Sequence, residues 1–243
     1  MGKKGGKKSE KRIASSKTRR LNRKEKTFTI KCLPGPHSKG YSIPLGFVLR
    51  DLLGYASNLR EAKRIIRDGK VMVDGRVRKE IRFPVGMFDL ISIKEMKKHF
   101  VLLFDEKGRL KVDELKKKGP LTKLCKVTGK RKIKKGRQQL STNDGRSFLE
   151  EKIEIKVGDT IKIELPSGKI LSAISLKKGN LAFISGGTHV GSIAKITEIS
   201  EGTITREKLV ELELKKKKFK TTARNVFVMG EKKSEIGIGE EKE

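Results

Sequence analysis

Four basic side chains, Arg60, Lys63, Arg64 and Arg67, recur at the three- and four-residue spacing that lines them up along one side of a helix. On a wheel of about 100° per residue, Leu59, Ala62, Ile65 and Ile66 fall on the other side. Such a helix can bury one stripe and offer four cations with the other. The chemistry open to that pattern is charge-assisted hydrogen bonding to phosphate, with no proton or group to transfer. A second concentration of cations lies at 130–137, where Lys130, Arg131, Lys132, Lys134, Lys135 and Arg137 make six of eight residues basic. A run of like charge is commonly just a solvated face. This one is expected on a hairpin between strands, a rigid mount for a probe of a nucleic-acid groove. Arg50, Lys70, Arg76 and Arg78 complete the expected phosphate-contacting set.

Residues suited to catalysis or metal binding are sparse by comparison. His37, His99 and His189 cluster with neither cysteines nor acids, and Cys32 and Cys125 stand 93 residues apart with no companion Cys or His pair. No disulfide framework, zinc knuckle or cofactor is expected. His37, without a partner in sequence, reads as a surface residue. Gly2 to Gly6 neither follows a strand nor opens a helix, so it does not read as a nucleotide-binding loop.

The elements that must position the cations carry their own signals. Asn58 with Glu61 three residues on is a capping-box pattern, and Gly69 stands where a left-handed C-terminal residue belongs, so the helix spans Leu59 to Asp68. Before it, Leu45, Val48, Leu49, Leu52 and Leu53 share a side, and Gly54-Tyr55-Ala56-Ser57 joins the two stretches as a helical hairpin. After it, Val71-Met72-Val73, the turn Asp74-Gly75 and a return run in which Val77, Ile81 and Phe83 alternate with Arg76, Arg78 and Arg82 predict a β-hairpin, apolar on one face and basic on the other.

Ile43-Pro44-Leu45 to Leu53-Gly54, Arg60-Glu61-Ala62, Gly69 to Gly75, and Val85-Gly86-Met87-Phe88-Asp89-Leu90-Ile91 together resemble the S4 RNA-binding domain. That domain also occurs in pseudouridine synthases, tyrosyl-tRNA synthetases and ribosome-rescue factors. Alone, the resemblance implies RNA binding and no particular reaction.

Composition sets the bounds. The chain has 243 residues, 35% of them hydrophobic, which suits several small domains better than one large core. Sixty Lys and Arg against 29 Asp and Glu give a formal net charge of +31, which calls for a polyanionic partner. A membrane surface is the rival polyanion, but there is no long apolar run and no signal peptide, and Gly6 stands where a myristoylation start wants Ser or Thr. The expectation is a cytoplasmic, metal-free protein with neither membrane contact nor small-molecule substrate. Aromatic residues make up 5%, with no Trp, so contacts to backbone and shape are favoured over base stacking.

Residues 1 to 26 hold twelve Lys or Arg against two Glu, and read as an arm that is disordered until it meets RNA. From Lys94 on, short β runs take over: Phe100 to Phe104, Leu110 to Val112, Leu121 to Val127 closed by a turn at Thr128-Gly129, Gln138 to Thr142 closed by Asn143-Asp144-Gly145, and Thr160 to Leu165 closed by Pro166-Ser167-Gly168. Phe183 to Ile199, a strand, a glycine turn and an alternating strand, resembles the KOW motif of SH3-like barrels, in which Gly186, Gly187 and Gly191 would allow positive φ and close backbone approach. Ala194 stands where many members have another glycine. Phe219 to Gly230 reads as closing strands, and residues 231–243 as a mobile tail.

The expected fold class is α+β and multidomain: a basic extension at 1–41, an S4-type module at 42–94, a central β domain at 95–176, an SH3-like KOW barrel at 177–230 and the tail. This order resembles the archaeal and eukaryotic S4e family of small-subunit ribosomal proteins. Pro34-Gly35-Pro36-His37, Phe83-Pro84-Val85-Gly86, Leu124 to Lys130, Asp144-Gly145-Arg146, Val157-Gly158-Asp159 and Asn225 to Val228 carry the resemblance, along with the module. It implies a non-catalytic, ribosome-bound constituent of the small subunit that contacts small-subunit ribosomal RNA and neighbouring ribosomal proteins. Two other classes compete. A free translation or assembly factor would have the same basic surfaces. A pseudouridine synthase would need an aspartate in a Gly-Arg-Leu-Asp setting, whereas Asp144 precedes Gly145-Arg146 on a predicted turn.

Overall fold

Apolar–polar alternation punctuated by Gly, Asp and Pro turns runs through most of the chain, and the described residues fold mainly as strands, with a helical hairpin in the first half. The computed structural model describes residues 6–115, 121–133, 137–150, 154–203, 205–214 and 217–231. The chain divides into two compact units: residues up to Leu103 with Arg109–Glu114, and Phe104–Gly108 with the chain from Leu115 onward.

In the first unit β1 (Ser9–Lys11) pairs antiparallel with β2 (Phe28–Ile30). β3 (Ser42–Pro44) leads into α1 (Leu45–Phe47), which continues as a π-helical turn over Val48–Leu52. The wider turn shows in its bonds, with the Leu53 N–H donating to Val48 O at 2.9 Å. The first N–H groups of α1 are satisfied from across the chain, Leu45 N by Phe83 O and Gly46 N by Ile81 O, each at 2.9 Å. The approach leaves no room for a side chain at position 46, where a Cβ would sit 2.3 Å from Ile81 Cγ1. Then come α2 (Leu59–Arg67), β4 (Val71–Val73), β5 (Arg76–Val77), β6 (Pro84–Gly86), β7 (Leu90–Ile93), β8 (Lys98–Phe104) and β9 (Leu110–Glu114). The main sheet runs β5-β4-β7-β8-β9, and β3 pairs with β6. β8 and β9, which the sequence assigned to the central β domain, thus extend the sheet that begins beside α2.

The helical hairpin delivers most of its expected seam: Leu45, Val48, Leu49, Ala62 and Ile66 are fully buried, with Val71 and Ile91 from the sheet, while Leu52, Leu53 and Ile65 are only half-buried. Burying a side chain such as Ile66 contributes about 1.5–3 kcal/mol. Leu59, placed on the same stripe by the wheel, is 40% exposed because it starts the helix. The return run after Asp74-Gly75 is strand for only two residues, so the predicted division into apolar and basic faces fails there. Val77 is exposed, and the Arg78 guanidinium lies 4.4 Å from the centre of the Phe83 ring.

Two further expectations are corrected. The segment before β2 is built into the fold. Arg19 is buried and ion-paired with Glu10, and it donates to Ile30 O at 3.1 Å, while Arg12 is buried and donates to Asn22 O at 2.7 Å. Composition misses this because the segment holds itself by buried guanidinium bonds where an apolar core would ordinarily serve. His37 is also interior, its Nε2 against both Asp89 carboxylate oxygens at 2.8 and 2.9 Å, with Gly86 N donating to the same carboxylate.

In the second unit one sheet runs β12 (Ser147–Glu150), β11 (Gln138–Thr142), β10 (Thr122–Lys132), β13 (Thr160–Glu164), β14 (Ile170–Ile174). The other runs β18 (Lys217–Thr222), β17 (Leu209–Leu214), β16 (Ile193–Ser200), β15 (Leu181–Ile184), β19 (Val226–Gly230). Thr128-Gly129, expected as a turn, is a register shift inside the eleven-residue β10, which continues as a ribbon to Lys132. Asn143-Asp144-Gly145 turns as expected. Burial alone would raise the Asp144 carboxyl, but Lys123 at 3.1 Å, Thr142 and Arg146 hold it below its usual range. Lys126 joins this sheet to the other, its Nζ donating to the carbonyls of Ala223, Arg224 and Val226 at 2.7, 3.0 and 2.6 Å. Gly187 and Gly191 take positive φ, and a Cβ at 191 would lie 2.5 Å from the Asp105 backbone. Gly186 has no positive φ but is also closely approached, a Cβ there falling 2.9 Å from the side-chain Oδ1 of Asn225.

Candidate nucleic-acid interface

The α2 helix begins with a modified capping box. Glu61 N donates to Asn58 Oδ1 at 2.9 Å, and the Glu61 carboxylate reaches back past the cap to accept from Ser57 N and Ser57 Oγ, both at 2.8 Å. The backbone bond from Ser57 and then its hydroxyl draw the Glu61 carboxyl below its ordinary value. The helix ends at Gly69 with φ +73°, where Asp68 N and Gly69 N close the last turn on Arg64 O and Ile66 O. With both ends fixed and Ala62 and Ile66 locked in the core, the rotation of the helix is set. That rotation leaves Arg60, Lys63, Arg64 and Arg67 exposed, their side chains in no ion pair or hydrogen bond among the described residues.

The remaining predicted residues differ in how committed they are. Arg50 is bound to Asp51, Nε at 3.0 Å and NH2 at 2.8 Å to one carboxylate oxygen. Lys70 pairs with Glu95 at 2.9 Å, which raises its pKa through the hydrogen bond and then the charge. Arg76 is exposed at the tip of the β4–β5 hairpin, and Arg78 is turned inward onto Phe83. An exposed cation without a partner meets a phosphate at little cost, whereas Arg50 and Lys70 must first exchange one.

In the second unit the basic hairpin forms as expected where it is described. Lys132 stands opposite Gln138, and Ile133 N donates to Arg137 O at 2.8 Å. Lys130, Arg131, Lys132 and Arg137 are exposed, and Lys130 Nζ donates to Ile155 O at 2.9 Å. Lys134 and Lys135 lie outside the described residues.

Sequence reasoning named the cations of residues 1 to 26 only as a charge count. The structure places Arg12, Arg20 and Lys26 with Arg109 along one cleft beside the start of α2. No periodicity marks them, because they come from a loop and a strand end. Among the described residues no group of three His, Cys, Asp or Glu side chains is placed to hold a metal. No helix among them is long and apolar enough to cross a membrane.

Comparison with known proteins gives matches along most of the chain. The model of the ribosomal family S4e matches residues 96–170, that of the S4 domain 48–91, and that of the RS4NT domain 4–40. The small ribosomal subunit protein eS4 of Methanococcus vannielii is 41% identical over 245 residues, covering 97% of this chain and 99% of that protein. The eS4 of Methanocaldococcus jannaschii is 42% identical over 246 residues, covering 98% and 100%. The crystal structure of the 30S ribosomal protein S4e from Thermoplasma acidophilum superimposes with a TM-score of 0.68 at 32% identity, covering 78% of this chain and 95% of that one.

Proposed function

The chain belongs to the S4e family of ribosomal proteins, and from that premise we propose that it is a structural constituent of the small ribosomal subunit, holding small-subunit ribosomal RNA by its phosphates. The observation that carries the contact surface is the α2 stripe: four exposed, uncommitted cations on a helix whose opposite side is fixed in the core. Charge of this kind binds backbone rather than sequence. Arg76 and the hairpin residues Lys130, Arg131, Lys132 and Arg137, with Lys134 and Lys135, are proposed as further phosphate contacts. Arg50, Lys70 and Arg78 are secondary, since each already has a partner or a ring.

Neighbouring ribosomal proteins are the proposed protein partners, and the ribosome in the cytoplasm the proposed location. The role is non-catalytic. Asp144, the one residue that invited comparison with a pseudouridine synthase, is engaged by Lys123, Thr142 and Arg146. The β15–β19 sheet with its glycine turn at 186–191 supports reading 177–230 as an SH3-like KOW module. The pairing of β10 to β14 supports a separate central module before it.

The test is sedimentation of small subunits through a high-salt wash. The protein is expected to remain with them stoichiometrically. Release into the supernatant at salt that retains other structural proteins would favour a free factor and overturn the proposal.

A further inference from the structure

Within the first unit an open cleft of about 1050 Å³ lies between the N-terminal segment and the joint of the α1 turn with α2. Five cations line it: Arg12, Arg20, Lys26, Arg50 and Arg109. Its two carboxylates are already answered, Asp51 by Arg50 at 2.8 Å and Glu25 by Arg12 at 3.5 Å. Arg20 and Lys26 are exposed and make no side-chain hydrogen bond or ion pair among the described residues. Arg12 is fixed in the wall, 93% buried by its residual exposure of 7%, with its Nε unpartnered.

We infer that this cleft is a second RNA site on the module, taking the sugar–phosphate backbone of a strand that also meets the α2 stripe; the inference rests on the RNA-binding reading above. The size is at or above the roughly 300–1,000 Å³ of pockets that enclose small organic ligands, which suits a stretch of backbone better than one phosphate. The start of α2 itself is closed to phosphate, because the Glu61 carboxylate occupies it through Ser57. The anion is therefore directed to the opposite wall, at Arg20 and Lys26. An acidic peptide is the rival occupant, but it would need a buried apolar or aromatic anchor. The lining supplies only Leu21, Leu52 and Leu59 and no ring. Both walls are in place without RNA, through the β1–β2 pairing and the Arg19–Glu10 pair, so binding here carries little ordering cost.

The test compares the full chain with two variants, Arg20→Gln/Lys26→Gln and the fourfold α2 variant Arg60→Gln/Lys63→Gln/Arg64→Gln/Arg67→Gln, binding purified small-subunit ribosomal RNA across a salt series. The cleft variant is expected to reduce the slope of log K against log salt by roughly 1.4 to 1.8, at roughly 0.7 to 0.9 per lost contact, with an unchanged unfolding midpoint. A reduction under about 0.5 from the cleft variant, with the α2 variant flattened, would overturn the cleft and leave the RNA reading standing. No salt-dependent RNA binding by the unmodified chain would remove both. Asn22→Cys gives a second readout, since Cys32 and Cys125 are buried and a photo-crosslinker attaches at position 22 alone. Adducts to RNA in small subunits support the site, and adducts only to another protein overturn it.

Discussion

Glu10→Gln separates a buried cation from its counter-ion with almost no change of shape. The Arg19 side chain is fully inaccessible and that of Glu10 is 7% exposed. Once the carboxylate is gone, Arg19 keeps the Ile30 carbonyl at 3.1 Å and the Cys32 sulfur at 3.3 Å, the latter a weak acceptor. Breaking a buried pair costs about 3–5 kcal/mol. Gln leaves one oxygen to accept from the guanidinium, which puts the expected loss near the lower end, about 3 kcal/mol. The second partner of Glu10, Lys39, is 56% exposed, and losing that contact adds at most about 1 kcal/mol. Glu25→Gln is the internal control: its pair with Arg12 is 3.5 Å long and the carboxylate 53% exposed, so the expected loss is under about 1 kcal/mol. The two units need not unfold together, so the assay is native-state hydrogen exchange at the β1–β2 amides and at Arg12 N, which donates to Thr27 O. A Glu10→Gln loss within about 0.5 kcal/mol of that for Glu25→Gln would refute the reasoning, and return the segment to a tail ordered only by RNA. Glu10→Leu with Arg19→Leu should recover part of the loss, since a well-packed apolar pair can replace a buried ionic one.

The fourfold α2 variant should lower the salt slope of RNA binding by about 3 with the circular dichroism spectrum unchanged; a change under about 1 would mark the stripe as merely solvated. Asp144 is held below the ordinary carboxylate range, so its contribution to stability is present above that range and lost as pH falls through its depressed folded pKa. Asp144→Asn should therefore destabilise the second unit at neutral pH by about 3 kcal/mol and flatten its acid unfolding curve; an unaltered curve would contradict this. Burial, and then the charge of Arg224, push Lys126 down to about 8 from 10.5. Between those pH values the unfolded chain holds a proton the folded one has released, so stability of the second unit should climb with pH, by up to about 3 kcal/mol. Urea unfolding of Lys126→Met should lack that rise, and a pH-independent difference between the two proteins would show that the three carbonyls keep the ammonium charged.

What was legible in the sequence was chemistry that acts over a few residues. Asn58, Glu61 and Gly69 bound α2, and Asp74-Gly75 turns with φ of 51° and 74°, because caps and turns are decided by neighbouring backbone groups. What was lost depends on partners far along the chain. His37 meets Asp89 across 52 positions, and Arg19 finds Glu10 and Ile30 only once β1 and β2 have paired. Thr128-Gly129 carries the composition of a turn, yet β11 pairs with β10 on both sides of the register shift, from Val127 to Lys132, and draws it through as strand. The α2 stripe was readable because its period is fixed by the helix, while the cleft cations, supplied by irregular chain, were not.

Gly86 has a lesson of inheritance. Its φ is not positive, so the turn makes no demand for glycine; what it provides is vacancy, since a Cβ there would fall 2.4 Å from Cγ of the His37 ring. Alanine at 86 would evict the imidazole, and with it a partner of Asp89, whose carboxylate also receives Gly86 N at 2.9 Å. Positions 37, 86 and 89 therefore form one heritable unit. Across related chains, a larger residue at 86 should be found only where histidine at 37 has already been surrendered, because the intermediate with both would have to force the ring into the space of the strand it braces.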